Sequence, residues 1–194
     1  MIDTINKVLE HYSATRIATA FLLSFDFRRL KKRSAIRRGT MKIRTAVRED
    51  AIKVSEVVRM SIEKLCVADH QGDKAILDRW LANKTPETVA RWLTNPDNIN
   101  LVAVDSGDVI LAAGCVRRDG KVLLNYVSPE ARFRGVSNAL LAALEEAARS
   151  EGNDWCELES TKTAHRFYQE RGYSDVGEPG FKFGLTTFPM RKSL

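Results

Sequence analysis

Val127-Ser-Pro-Glu-Ala-Arg-Phe-Arg-Gly-Val-Ser-Asn-Ala-Leu-Leu-Ala-Ala-Leu144 is the stretch whose reading decides the fold. An apolar run, Val122 to Val127, leads into it and reads as a strand. Ser128-Pro129 stops that strand, because proline has no N–H to give a sheet ladder. A short loop carries Arg132 and Arg134, Gly135 follows, and a helix then places Val136, Leu140, Leu144, Ala147 and Ala148 on one stripe. A strand, a basic glycine-bearing turn and a helix start build a phosphate site from backbone. The first helical N–H groups are free there, and the helix dipole favours negative charge. Glycine permits close approach, and the two arginines add charge-assisted bonds to phosphate oxygens. No lysine follows Gly135, which excludes the loop pattern of nucleoside-triphosphate sites.

The chain has 194 residues, 44% hydrophobic and 29% charged, which suits one soluble domain with an appendage. Its net charge of +6 is unevenly placed. Residues 1–40 hold nine basic and three acidic residues; the remaining 22 basic and 22 acidic residues cancel. A general nucleic-acid role is therefore not expected for the domain that begins at Met41. Cys66, Cys115 and Cys156 are far apart and odd in number, which reads as small buried thiols of a reduced, cytoplasmic chain. With His11, His70 and His165 equally scattered, no metal site is expected.

Residues 1–40 form a basic N-terminal extension. Its apolar run, Ile17 to Phe25, is too short to span a bilayer and lacks the flanks of a secretory signal. It reads as an organelle-targeting or membrane-surface segment, as a partner-binding tail, or as an unstructured or partly helical extension ahead of a start at Met41. The last is favoured, because periodic patterning begins abruptly there.

From Met41 to Val47 apolar and polar residues alternate as in a half-buried strand. Asp50 is placed to cap the next helix, which carries Ile52, Val54, Val57, Val58, Ile62 and Leu65 on its apolar face. A polar break from Cys66 to Asp73 precedes a short helix at Lys74 to Leu81. Thr85-Pro86 opens another, running to Leu93, with threonine as cap and proline at the first helical position. Tight turns at Ser106-Gly107-Asp108 and Arg118-Asp119-Gly120 then separate three antiparallel strands. After the glycine loop and its helix come a strand, Trp155 to Glu159, a helix, Thr163 to Arg171, and two closing strands, Tyr173 to Val176 and Lys182 to Phe188. The expected fold is α/β (α+β): a mixed, mostly antiparallel sheet of about six or seven strands with helices on both faces.

Two motifs in this order resemble the GNAT superfamily of acyl-CoA N-acetyltransferases, over residues 41–190. Val127-x-Pro129-x-x-Arg132-x-Arg134-Gly135-x-Ser137 is similar to the family's pyrophosphate loop. Ser160-Thr161-x-x-Ala164-x-x-Phe167-Tyr168-x-x-x-Gly172-Tyr173 is similar to its second cofactor segment. The resemblance implies acetyl-CoA as co-substrate, no metal, and direct attack by a primary amine of a small-molecule or peptide acceptor. It implies cofactor contacts at Val127, Arg132, Phe133, Arg134, Gly135, Val136, Ser137, Asn138 and Thr161. The pantetheine arm would lie where the third and fourth strands of the central region part, with the Val127 N–H facing the thioester oxygen. Asn125 and Tyr126 would point to opposite sheet faces. Tyr168 would protonate the leaving thiolate. A homodimer is compatible with this reading.

Three departures qualify it. Ser137 stands where glycine or alanine is usual, and Thr161 replaces the frequent asparagine. No acid on the strand before Val127 resembles a general base; Glu157, Glu159, Asp69 and His70 are candidates by position alone. The rival reading is a catalytically silent acyl-CoA-binding module. Acceptor selection is expected from Leu65 to Asp73 and from Glu178 to Phe181, with Asp69, Asp73 and Glu178 as attractors for a cationic amine.

Overall fold

The structure is a computed structural model and describes residues 41–194, so the expectations for residues 1–40 lie outside it. In chain order the elements are β1 (Lys42–Thr45), α1 (Ala51–Leu65), α2 (Val67–His70), α3 (Lys74–Leu81), α4 (Pro86–Leu93), β2 (Asn98–Val104), β3 (Ile110–Arg117), β4 (Lys121–Val127), α5 (Val136–Ser150), β5 (Trp155–Thr161), α6 (Lys162–Gln169), β6 (Ser174–Asp175), β7 (Gly180–Lys182) and β8 (Leu185–Ser193). One sheet runs β1-β2-β3-β4-β5-β8-β6, with β7 also paired to β8. Every pairing is antiparallel except β4 with β5.

Alternation along the strands feeds two cores. On β2, Ala103 packs with Leu140, Leu141 and Leu144 of α5, while Val102 and Val104 face Val54, Val58 and Ile62 of α1 on the other side. The three leucines are fully buried and each contributes about 1.5–3 kcal/mol. Gly114 on β3 lets α5 come this close: a Cβ there would lie 2.8 Å from Leu144 Cδ1 and 3.1 Å from Leu140 Cδ2. Gly114→Val should therefore destabilise the domain by about 1–3 kcal/mol, read as a lower melting temperature.

N-cap side chains cap α3 and α4, whereas α1, α2, α5 and α6 start without one. The Thr85 hydroxyl accepts from Thr88 N–H at 3.3 Å, and Asp73 accepts from Ala75 and Ile76 N–H at 2.7 and 3.1 Å. Asp50, expected to cap α1, turns away from it. Its carboxylate takes the Arg44 guanidinium at 2.7 and 3.0 Å and the Val47 N–H at 2.9 Å, tying β1 to the helix start. A charge-assisted pair outcompetes a cap here.

The sheet has eight strands rather than about six or seven. The chain makes a hairpin of β7 and β8 around Phe183-Gly184, where φ is +57° and +88°. Positive φ at both central residues is what a two-residue hairpin turn requires.

Candidate active site: a gap in the middle of the sheet

β4 and β5 are paired at only two positions, Lys121 with Glu157 and Val122 with Leu158. Beyond them β4 stays on β3 and β5 stays on β8 along its whole length. The register explains the parting. Cys115 faces Leu124 and Val116 faces Val122, so Leu123 is an extra residue in β4, a bulge placed directly after the last pair with β5. A bulge bends its own strand and ends pairing, which turns β4 away from β5.

The parted edge presents backbone groups to the gap. Ser128 N–H donates to Leu111 O at 2.8 Å, which makes Val127–Ala112 the non-hydrogen-bonded pair of the β3–β4 ladder. The Val127 N–H therefore points away from β3, into the gap. So does that of Asn125, two residues earlier and of the same parity.

Two cavities meet at this gap. One, of about 400 Å³, runs over the start of α5 and along α6. The other, of about 350 Å³, lies between the α3–α4 connection and the β7–β8 hairpin. Trp80, Leu123, Leu124, Tyr126, Glu159 and Thr161 line both and mark the junction.

The first cavity collects most of the expected cofactor residues: Val127, Arg132, Phe133, Gly135, Val136, Ser137, Asn138 and Thr161 all line it. Gly135 has φ +77° and precedes α5 with no side chain capping the helix. The N–H of Ala139 donates to Gly135 O at 3.0 Å, so the N–H groups of Val136, Ser137 and Asn138 come before the first helical bond and are free for an anion. Phe133, at φ +61° and 91% exposed, folds the loop over so that its ring stacks 4.5 Å from the Arg132 guanidinium. Arg134 does not line the cavity. A different arginine does: Arg171 donates to Asn138 Oδ1 at 2.9 Å and stacks 3.8 Å from the Phe167 ring. Its i,i+4 spacing from Phe167, at the expected C-terminal end of that helix, was the available signal.

Tyr168 is 8% exposed, lines the same cavity, and packs edge-on against Phe167 and Tyr173 at 5.1 and 5.5 Å. Burial pushes its phenol up to about 12, with the Asn125 side chain pulling the other way. Asn125 lines this cavity, and its Oδ1 is buried with no partner among the described residues. Tyr126 packs toward the α1–α4 side, so the two do take opposite faces. Cys66 also lines the cavity, but burial first and the Asp69 charge second push its thiol up to about 12, leaving it protonated at neutral pH.

The four candidate bases separate. Glu157 is paired with Arg191. Asp69 accepts from Thr163 N–H at 3.2 Å and so holds the start of α6, across 94 residues of sequence. The buried His70 accepts from Gly72 N–H on Nδ1 at 3.0 Å. Of the four, Glu159 alone lines a cavity, and it lines both. The expected acceptor-selecting acids are occupied elsewhere too: Asp73 caps α3 and Glu178 lies in an exposed loop, neither lining a cavity. The residues on the far side of the gap come from α3, α4 and the β7–β8 turn.

This geometry has counterparts. Residues 66–194 match the family model of the acetyltransferase (GNAT) domain. Among solved structures, a GCN5-related N-acetyltransferase from Rhodopseudomonas palustris superposes with TM-score 0.71 at 25% identity, over 80% of this chain and 96% of that one. A PaiA N-acetyltransferase from Thermoplasma acidophilum, solved in complex with coenzyme A, superposes with TM-score 0.67 at 19% identity, over 80% and 99%. No curated protein matches in sequence. Among the described residues no helix is long and apolar enough to cross a membrane. A family model covering two thirds of the chain, on a sheet parted after Val122, places this protein in the GNAT acetyltransferase family.

Proposed function

We propose that the protein transfers an acetyl group from acetyl-CoA to a primary amine by direct attack, without a covalent enzyme intermediate. The observation that carries this reading is the junction itself. One cavity begins at free helical N–H groups suited to a pyrophosphate, passes a buried phenol, and opens at the gap into a second cavity. Cofactor and acceptor would thus approach the reacting carbon from opposite sides of the sheet.

The N–H groups of Val136, Ser137 and Asn138 bind the pyrophosphate, with Arg132 and Arg171 adding charge. The Asn125 and Val127 backbone edge takes the place of a neighbouring strand for the amide-bearing cofactor arm. The Val127 N–H donates to the thioester oxygen as negative charge develops on it. The attacking nitrogen must be neutral, and its proton leaves at the junction, where Glu159 is the carboxylate in the lining. Tyr168 donates its proton to the departing sulfur, so that carbon–nitrogen bond formation and carbon–sulfur cleavage end in an amide and a free thiol. The Cys66 thiol, held protonated, is a poor nucleophile, which supports direct attack over a thioester relay.

The test follows free thiol release from acetyl-CoA across a library of primary amines. Amine-dependent release above the hydrolysis background is the expected result. Tight coenzyme A binding with no release on any amine would establish the silent binding module instead.

A further inference from the structure

The second cavity has a charge pattern opposite to the one expected for a cationic acceptor. Three lysines line it, Lys84, Lys121 and Lys182, against one carboxylate, Glu159. Glu159 is shared between Lys121 at 3.6 Å and Lys182 at 3.4 Å. Lys84 has no carboxylate partner among the described residues, yet it is only 5% exposed. Its Nζ, which carries three donors, bonds the Asn83 Oδ1 and sits 5.3 Å from the Trp92 ring and 5.7 Å from the Phe183 ring. Two aromatic faces offset part of the desolvation of the ammonium but do not neutralise it. Burial, and then Lys182, push the group down to about 8, which leaves it charged at neutral pH.

An uncompensated buried cation destabilises a fold, and a methionine would fill the same space without that penalty. Its presence in a cavity wall is accounted for by a ligand that brings the missing negative charge. A polyamine or other polycation would meet two unmatched positive charges there. The walls on either side are Trp80, Trp92 and Phe183, which favour a flat or branched apolar body.

From this we infer that the acceptor is an amine that also carries a carboxylate and an aromatic or branched apolar body, an amino acid being the simplest example, with the carboxylate seated on Lys84 and the amine directed to the gap. The amine half of this assignment rests on the transferase reading; the carboxylate half rests on the cavity alone.

The experiment uses the full chain and matched probes: phenylalanine against phenethylamine, tryptophan against tryptamine, and leucine against isoamylamine, each scored by kcat/KM from thiol release. The carboxylate member of at least one pair should be preferred about tenfold or more, a difference of about 1.4 kcal/mol. Lys84→Met should cut that preference ratio about tenfold while raising the melting temperature, because it removes the buried charge. Lys84→Arg should keep the preference. Preference for the carboxylate-free members overturns the inference and leaves the transferase reading standing. Turnover of phosphoethanolamine over ethanolamine with no carboxylate preference also overturns it, in favour of a phosphate.

If no amine is turned over, the transferase reading fails by itself, and quenching of Trp80 and Trp92 fluorescence still decides the point. Saturable quenching by N-acetylphenylalanine but not by N-acetylphenethylamine, weakened about tenfold in Lys84→Met, would sustain the anion seat. Equal quenching by both would sink it. A Lys84→Met chain with a lower melting temperature and an unchanged ratio would make Lys84 a packing residue and nothing more.

Discussion

Tyr168→Phe is expected to lower kcat by about a hundred- to ten-thousandfold while acetyl-CoA affinity, measured by titration calorimetry, stays within about twofold of the parent. The substitution removes one oxygen and keeps the ring that packs against Phe167 and Tyr173. On the proposed mechanism, what it removes is the proton delivered to the sulfur. The burial that lifts the phenol to about 12 penalises any unpaired anion in the same cavity. A thiolate leaving there is thus a stronger base than in water, and the hydroxyl can bond to it and protonate it. The pH dependence has a fixed sign. A raised tyrosine is protonated below its pKa, so kcat should show no falling limb from this group until pH nears 12. A kcat unchanged in Tyr168→Phe would mean that the sulfur departs without its help.

Gly135→Asp should weaken coenzyme A binding about thirtyfold, or about 2 kcal/mol, whereas Gly135→Asn should weaken it about threefold or less. The pair separates charge from shape. A Cβ at Gly135 would meet nothing within 4 Å, so space is not the constraint. Its φ of +77° is left-handed, a conformation that Asn and Asp tolerate better than other side chains. Both variants thus carry similar backbone strain and similar volume, and only Asp sets a negative charge at the helix start where the pyrophosphate would sit. Equal losses in the two would assign the effect to backbone geometry. No loss in either would move the anion away from α5.

Much of the fold was legible because its signals are local. Pro129, Gly135 and the leucine stripe mark the strand end, the loop and α5, and Thr85-Pro86 marks α4. Features made by long-range pairing were not legible. Leu123 looks like any member of the run Val122-Leu-Leu124, and its bulge exists only against the register of β3. Asp50 carries a capping signature, but Arg44 from the preceding strand claims it. Phe183-Gly184 lacks the usual Asn-Gly or Asp-Gly of a tight hairpin, so Lys182 to Phe188 reads as one strand although a turn divides it.

The candidate site divides in the same way. The first cavity is lined largely by the two motifs, Val127 to Asn138 and Ser160 to Tyr168, with Arg134 outside it, Arg171 entering it, and Ser61, Leu65, Cys66 and Trp80 brought in from elements no motif marks. The second cavity is assembled from Trp80 and Lys84, Trp92, and Lys182 and Phe183, segments with no shared motif. A lysine between an asparagine and a threonine reads as a solvated charge. Only the packing of Trp92 and Phe183 around it makes Lys84 a buried one.

The bulge at Leu123 also has a thermodynamic consequence for the whole domain. Two rungs are all that β4 shares with β5, so the middle of the sheet, ordinarily its most protected part, leaves the Asn125 and Val127 amides without a neighbouring strand. A ligand that pairs with those amides acts as the absent rungs. The melting temperature of the domain is then a function of ligand concentration, with each tenfold excess over the dissociation constant adding about 1.4 kcal/mol to its stability.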